Sequence, residues 1–148
     1  MNFKKIIKTD PSKTIILIRL MVGTAFLSEG IQKFLFAEKL GAGRFKKIGL
    51  PSPEFLASFV GSFEIVCGLL ILIGLITRLA SIPLIIIMIT AVATTKSEIL
   101  VNRGFWDMMH ESRTDWAMLL GSIFLLVNGG GCWSADKTLT NRWSLKQR

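Results

Sequence analysis

The chain has 148 residues, 51% of them hydrophobic, and a mean hydropathy of +0.53. Too little polar surface remains to coat a soluble bundle of this size, so composition points to a membrane protein. The formal net charge of +8 is not a nucleic-acid signal, because the basic residues cluster at the ends of apolar runs instead of lining one face.

Residues 1–13 read as a basic, amphipathic lead at headgroup level, with Lys4, Lys5, Lys8 and Lys13. Four apolar runs follow, at 14–36, 55–77, 79–95 and 116–135. A bilayer core of about 30 Å needs about 20 helical residues. The first two runs meet that length. The third is short but almost without polar residues. The fourth reaches full length only if 128–131 is included, so its inner end is expected to unwind. The first run is too long, too charged and too bulky at Phe34-Leu35-Phe36 for a cleaved signal. The predicted fold is all-α, an integral membrane four-helix bundle over 14–135, followed by a basic tail at 136–148.

Asp10-Pro11 and Ser52-Pro53-Glu54 each have the residues of a helix start, an N-cap followed by proline in the first turn. Thr77-Arg78 is predicted as the tight turn between the second and third helices. Pro83 falls early in the third, where it marks the first turn or kinks it. Residues 96–113 are predicted as a polar connection, with Asp115 as a cap at the mouth of the fourth helix. Four spans place both termini on one side. The termini and the Arg78 turn carry nine Lys and Arg, the two longer loops seven, which favours cytoplasmic termini.

The first helix divides into two faces at 100° per residue. Arg19, Val22, Gly23, Phe26, Glu29, Gly30 and Lys33 share one arc; Ile16, Leu17, Leu20, Met21, Leu27, Ile31, Phe34 and Leu35 lie opposite. In the second, Ala57, Gly61, Glu64 and Gly68 share a narrow face suited to close helix approach. Counted from the intervening loop, Glu29 and Glu64 lie at similar depth, roughly 10–14 Å below one surface. Glu29, Lys33 and Glu64 are therefore predicted to form one buried polar centre, with Arg19 deeper toward the termini. Charges at such depth cost roughly 2.5–3.5 kcal/mol each on insertion, and by default mark function. Glu29 and Glu64 are candidates for a proton relay; Arg19, Lys33, Arg78 and His110 are candidate ligand-binding or polar-centre residues. The bland alternative is an ion-pair glue between helices, worth little net stability after desolvation.

One histidine, His110, cannot provide two axial haem ligands, and two scattered cysteines, Cys67 and Cys132, make neither a disulfide framework nor a closed zinc site. No metal site is predicted. Trp106, Trp116, Trp133 and Trp143 read as interface anchors.

The chain resembles the DoxX family of small four-helix membrane proteins. The resemblance rests on Arg19-Leu20-Met21-Val22-Gly23, Phe26-Leu27-Ser28-Glu29-Gly30-Ile31-Gln32-Lys33 and Gly49-Leu50-Pro51-Ser52-Pro53. It continues through Phe63-Glu64, the Gly68–Leu75 run with Thr77-Arg78-Leu79-Ala80, and the ending Gly129-Gly130-Gly131-Cys132-Trp133-Ser134-Ala135-Asp136. Two departures are Gly130-Gly131-Cys132, where Gly-Pro-Gly is commoner, and Asp115 in place of a frequent glutamate. The resemblance carries over Arg19, Glu29, Lys33, Glu64 and Arg78. It implies a bacterial inner-membrane protein linked to quinol oxidation or to thiol and oxidative-stress complexes. On that expectation the chain is an accessory subunit of a quinone- or thiol-redox complex. It would bind a quinone and lack its own electron carrier, so a protein partner supplies one, or the chain forms a homo-oligomer. The competing expectations are a non-catalytic membrane scaffold and a small transporter.

Overall fold

Inside a bilayer every backbone N–H and C=O must find a partner within the protein, and a run of apolar residues does this as a helix. The computed structural model describes residue 7 and residues 9–145, with side chains through Asn141. It contains α1 (Ile15–Leu35), α2 (Ala42–Lys47), α3 (Pro53–Ile73) and α4 (Thr77–Ala91). A π-helical turn (Val92–Lys96) leads into α5 (Ser97–Arg103), followed by α6 (Phe105–Asn128) and α7 (Ala135–Leu145). No strand occurs among the described residues. α1, α3 and the continuous rod Thr77–Arg103 are long and apolar enough to cross a membrane. The molecule is an all-α membrane bundle.

Its four long helices associate chiefly as two pairs, α1 with α3 and α4 with α6. Glycines set the first pair. A Cβ added to Gly30 would lie 2.7 Å from the Gly61 carbonyl oxygen, and one on Gly68 would lie 2.9 Å from the Leu27 nitrogen. Neither gap admits a side chain, so the two backbones run nearly in contact. Buried Val22, Phe26, Ile71, Leu84 and Leu125 fill the centre. The buried face of α1 is Ile15, Arg19, Val22, Gly23, Phe26 and Gly30, largely the arc its periodicity predicts. Glu29, expected in a buried centre, is exposed at its edge, Ile16 and Leu27 of the opposite face are half-buried, and Leu17, Leu20, Leu35 and Phe34 are exposed.

Several boundaries differ from the sequence expectation. Asp10 does not cap α1; its Oδ1 accepts the Ser12 N–H, and the helix begins at Ile15. The intervening backbone is held by the C-terminal segment instead. The Asp10 N–H donates to the Asn128 carbonyl, and the Ser12 carbonyl accepts from the Cys132 N–H. The turn between α3 and α4 is 74–76, and Thr77-Arg78 open α4. Gly74 takes the left-handed conformation that ends α3 (φ 74°). Pro83 lies inside α4, beyond its first turn.

The polar connection expected at 96–113 is helical except at Gly104, whose φ of 89° turns α5 into α6. Arg103 bridges that break to Asp107 (3.3 Å) and Glu111 (2.5 Å). The fourth helix accordingly starts at Phe105 instead of 116, with Asp115 inside it, and stops at Asn128. Gly129 and Gly131, at φ 78° and 82°, turn the chain back. The basic tail is helical over Ala135–Leu145. The N-terminal lead lies largely outside the described residues.

Candidate functional site

The antiparallel α1–α3 seam brings the end of one helix beside the middle of the other. Lys33 Nζ stands 2.7 Å from Glu64 Oε2 and 3.9 Å from Glu29 Oε2. The Glu29 contact is the i,i+4 pair that helical geometry supplies; the Glu64 contact exists only because the glycines let the helices close. The side chain of Glu64 is 5% exposed, that of Lys33 12%, and that of Glu29 54%. The cluster thus has a sealed inner acid, a bridging ammonium and an outer acid open on one side. Its formal charge is one negative. Arg44 of α2 lies within electrostatic reach of Glu64 and adds positive potential from the loop end. Such a group can donate from Lys33, accept at two carboxylates, and pass a proton between inner and outer positions.

Arg19 belongs to a different assembly, at the end of the bundle where α1 begins and the 129–136 return passes. Its guanidinium donates to the carbonyls of Ile71 (Nε, 2.9 Å), Leu72 (Nη2, 2.5 Å), Gly130 (Nη1, 3.1 Å) and Trp133 (Nη1, 2.5 Å). Two of these are last-turn carbonyls of α3, where helix ends attract cations. Buried Asp136 completes this end. Its carboxylate accepts the N–H of Ile76 (2.7 Å) and Thr77 (3.0 Å) at the start of α4, and its own N–H donates to Gly74 O (2.9 Å). Arg19 and Asp136 therefore tie α1, α3, α4 and the 129–136 return together.

The other candidates scatter. Arg78, half-buried, also sits near the start of α4, where it interacts within the chain. His110 is an exposed residue of α6. Asp115 pairs with Lys96 at 3.0 Å, and Lys96 also donates to the Glu111 carbonyl. Cys67 is buried and Cys132 partly so; both are free thiols. The structure brings Glu29, Lys33 and Glu64 into one cluster and leaves Arg19, Arg78 and His110 outside it. Asp136 went unremarked by sequence reasoning except as the last residue of the glycine-rich ending. Its position just inside α7, after a run of turn glycines, was the available signal.

A family model, DoxX, matches residues 14–97, more than half of the chain. The chain belongs to the DoxX family. The matched stretch takes in Arg19, Glu29, Lys33, Glu64 and Arg78, whereas His110 and Asp136 lie beyond it. This DoxX protein is 47% identical over 147 residues to an uncharacterised membrane protein of Mycobacterium tuberculosis (strain ATCC 25618 / H37Rv), covering 95% of this chain and 90% of that one. It is 31% identical over 114 residues to a protein of Bacillus subtilis (strain 168) named "Putative oxidoreductase CatD", covering 77% and 78% of the two chains. No solved structure gives a significant match.

Proposed function

We propose that this DoxX protein is an accessory subunit of a quinone- or thiol-linked redox complex in the bacterial plasma membrane, with Glu29 and Glu64 relaying protons around Lys33. The observation that carries the reading is the asymmetry of the triad. A sealed carboxylate, an ammonium 2.7 Å away and a second carboxylate open on one side form a path from inside to outside. The similarity to the Bacillus subtilis protein named "Putative oxidoreductase CatD" supports the redox class. Oxidation of a quinol releases two protons and two electrons. The carboxylates are suited to receive protons from the quinol hydroxyls and Lys33 to donate to the quinone carbonyl. The electrons pass to a carrier on a partner protein. The termini, on this reading, face the cytoplasm.

The test is extraction and mass spectrometry of small molecules bound to protein purified in mild detergent, beside the Glu29→Gln/Glu64→Gln variant. A quinone retained by the wild type and absent from the variant is expected. No quinone in either sample overturns the quinone reading. A scaffold role is the second reading, and the Lys33–Glu64 bridge favours it, because that ion pair spans the glycine seam and locks two helices. Stable co-purifying proteins whose binding survives the double substitution would favour it further.

A further inference from the structure

The bundle is closed at the Arg19–Asp136 end and open at the other. The buried residues of α4 stop at Met88, and neither the π-helical turn nor α5 has any. Between that bare stretch and the α1–α2 connection lies a cleft of about 610 Å³. Lys39, Arg44 and Lys47 line it, with Leu40 and Ile48 as apolar floor and Thr95 and Glu98 on the far wall.

The placement of its basic residues separates this cleft from the scattered lysines of a membrane flank. Arg44 and Lys47 stand three apart on α2, hence on one helical face. α2 itself is pinned: a Cβ on Gly41 would collide with the Lys33 carbonyl and one on Gly43 with the Glu38 carbonyl, so the short helix is pressed against the end of α1. None of Lys39, Arg44 and Lys47 forms an ion pair among the described residues; Lys13, Lys46, Arg113 and Lys137 form none either, but only the first three line this concavity. Three cations held around a concavity without carboxylate partners, one of them within reach of the polar centre, suit a ligand of opposite charge.

We propose that this cleft binds a phosphate-bearing head group, held by Lys39, Arg44 and Lys47 at the loop-end mouth of the polar centre. The two acids in the lining, Glu38 and Glu98, leave only one excess positive charge. They disfavour a polyphosphate and suit a group with a single phosphate. The apolar floor suits a ligand that also carries hydrocarbon. The proposal stands apart from the quinone reading, since it uses none of the triad residues.

Native mass spectrometry of the full chain in detergent tests it, titrated with phosphatidylglycerol, phosphatidylcholine or glycerol phosphate. Removing one charge-assisted hydrogen bond to the phosphate should weaken binding roughly tenfold. Lys39→Gln/Arg44→Gln/Lys47→Gln should therefore abolish measurable phosphatidylglycerol binding at unchanged thermal stability, because all three side chains are exposed. Lys13→Gln/Arg113→Gln/Lys137→Gln, which removes equal charge elsewhere, should leave it intact. Glu98→Gln should tighten binding several-fold by removing like charge. Displacement of the lipid by millimolar glycerol phosphate assigns the site to soluble phosphate esters; its failure to compete assigns the site to the lipid. Equal weakening in both triple variants, or no preference for phosphatidylglycerol over phosphatidylcholine together with no glycerol phosphate binding, overturns the proposal.

Discussion

Lys33 is the residue on which the polar centre depends, because it is the single cation in contact with both acids. Replacing it by methionine leaves the buried Glu64 carboxylate without its counter-charge. Removing one partner of a buried pair costs about 3–5 kcal/mol. Lys33→Met should lower abundance and melting temperature, and Glu64→Gln added to it should restore much of the loss; additive losses would show that the pair is not direct. By contrast, Glu29→Gln alone should change stability by less than about 1 kcal/mol, since Glu29 is more than half exposed and its contact is 3.9 Å long. An effect of Glu29→Gln on ligand retention at normal stability would then be functional. Arg19 is the opposite case. Arg19→Ala strands four carbonyls at about 1–3 kcal/mol each where they are buried. It should prevent accumulation of folded protein, read by detergent-solubilised yield and size-exclusion profile, while leaving the triad sequence untouched.

At the level of elements, the hinge between α3 and α4 shows how a strained turn is kept. Ile76 takes φ 45°, a left-handed conformation that costs a β-branched residue about 1–3 kcal/mol. Asp136, sixty positions away, holds it by accepting the N–H groups of Ile76 and Thr77 at the positive end of α4. Asp136→Ala should destabilise the protein by about 2 kcal/mol, at the upper end for loss of a helix cap. Ile76→Gly should recover part of that loss in the Asp136→Ala background, because glycine adopts the left-handed conformation without strain. Thermal unfolding of the two single variants and the double variant measures this; no recovery would mean that strain at Ile76 is not what Asp136 offsets. The π-helical turn has a comparable local consequence: it falls just where Lys96 meets Asp115, joining the α4–α5 rod to α6.

The whole molecule is asymmetric from end to end. Arg19 and Asp136 staple the end where α1 starts and α7 begins, while the α2 cap and the α5–α6 hairpin stand apart at the other end around an open cleft. The proposed reading, four crossings with cytoplasmic termini, puts α2 outside and the start of α7 inside. In a Cys67→Ala/Cys132→Ala background, a membrane-impermeant maleimide applied to intact cells should label Lys46→Cys and spare Lys137→Cys. Labelling of Lys137→Cys alone would reverse the orientation, and labelling of both would mean an odd number of crossings.

The membrane class, the helical fold, most of the buried face of α1 and the meeting of Glu29, Lys33 and Glu64 were legible in the residues alone. Each follows from local rules: apolar length, 3.6-residue periodicity, and the near-adjacency of helices joined by one loop. The start of α1 and the extent of the fourth helix escaped those rules. Asp10 looks like a cap, but its backbone is held by residues more than a hundred positions on; 96–113 looks like a loop because it is charged, yet Arg103 and Lys96 find helical partners across Gly104. Periodicity already set Arg19 deeper on the same helical face, away from the triad, but what it binds came from the tertiary structure: the exposed carbonyls of a terminating α3 and of a glycine turn from a distant part of the chain converge to receive it. Contacts set by chain return, across about sixty residues for Asp136 and more than a hundred for the Arg19–Gly130 bond, leave no periodic trace, and that is why Asp136 emerged from the fold and not from the pattern.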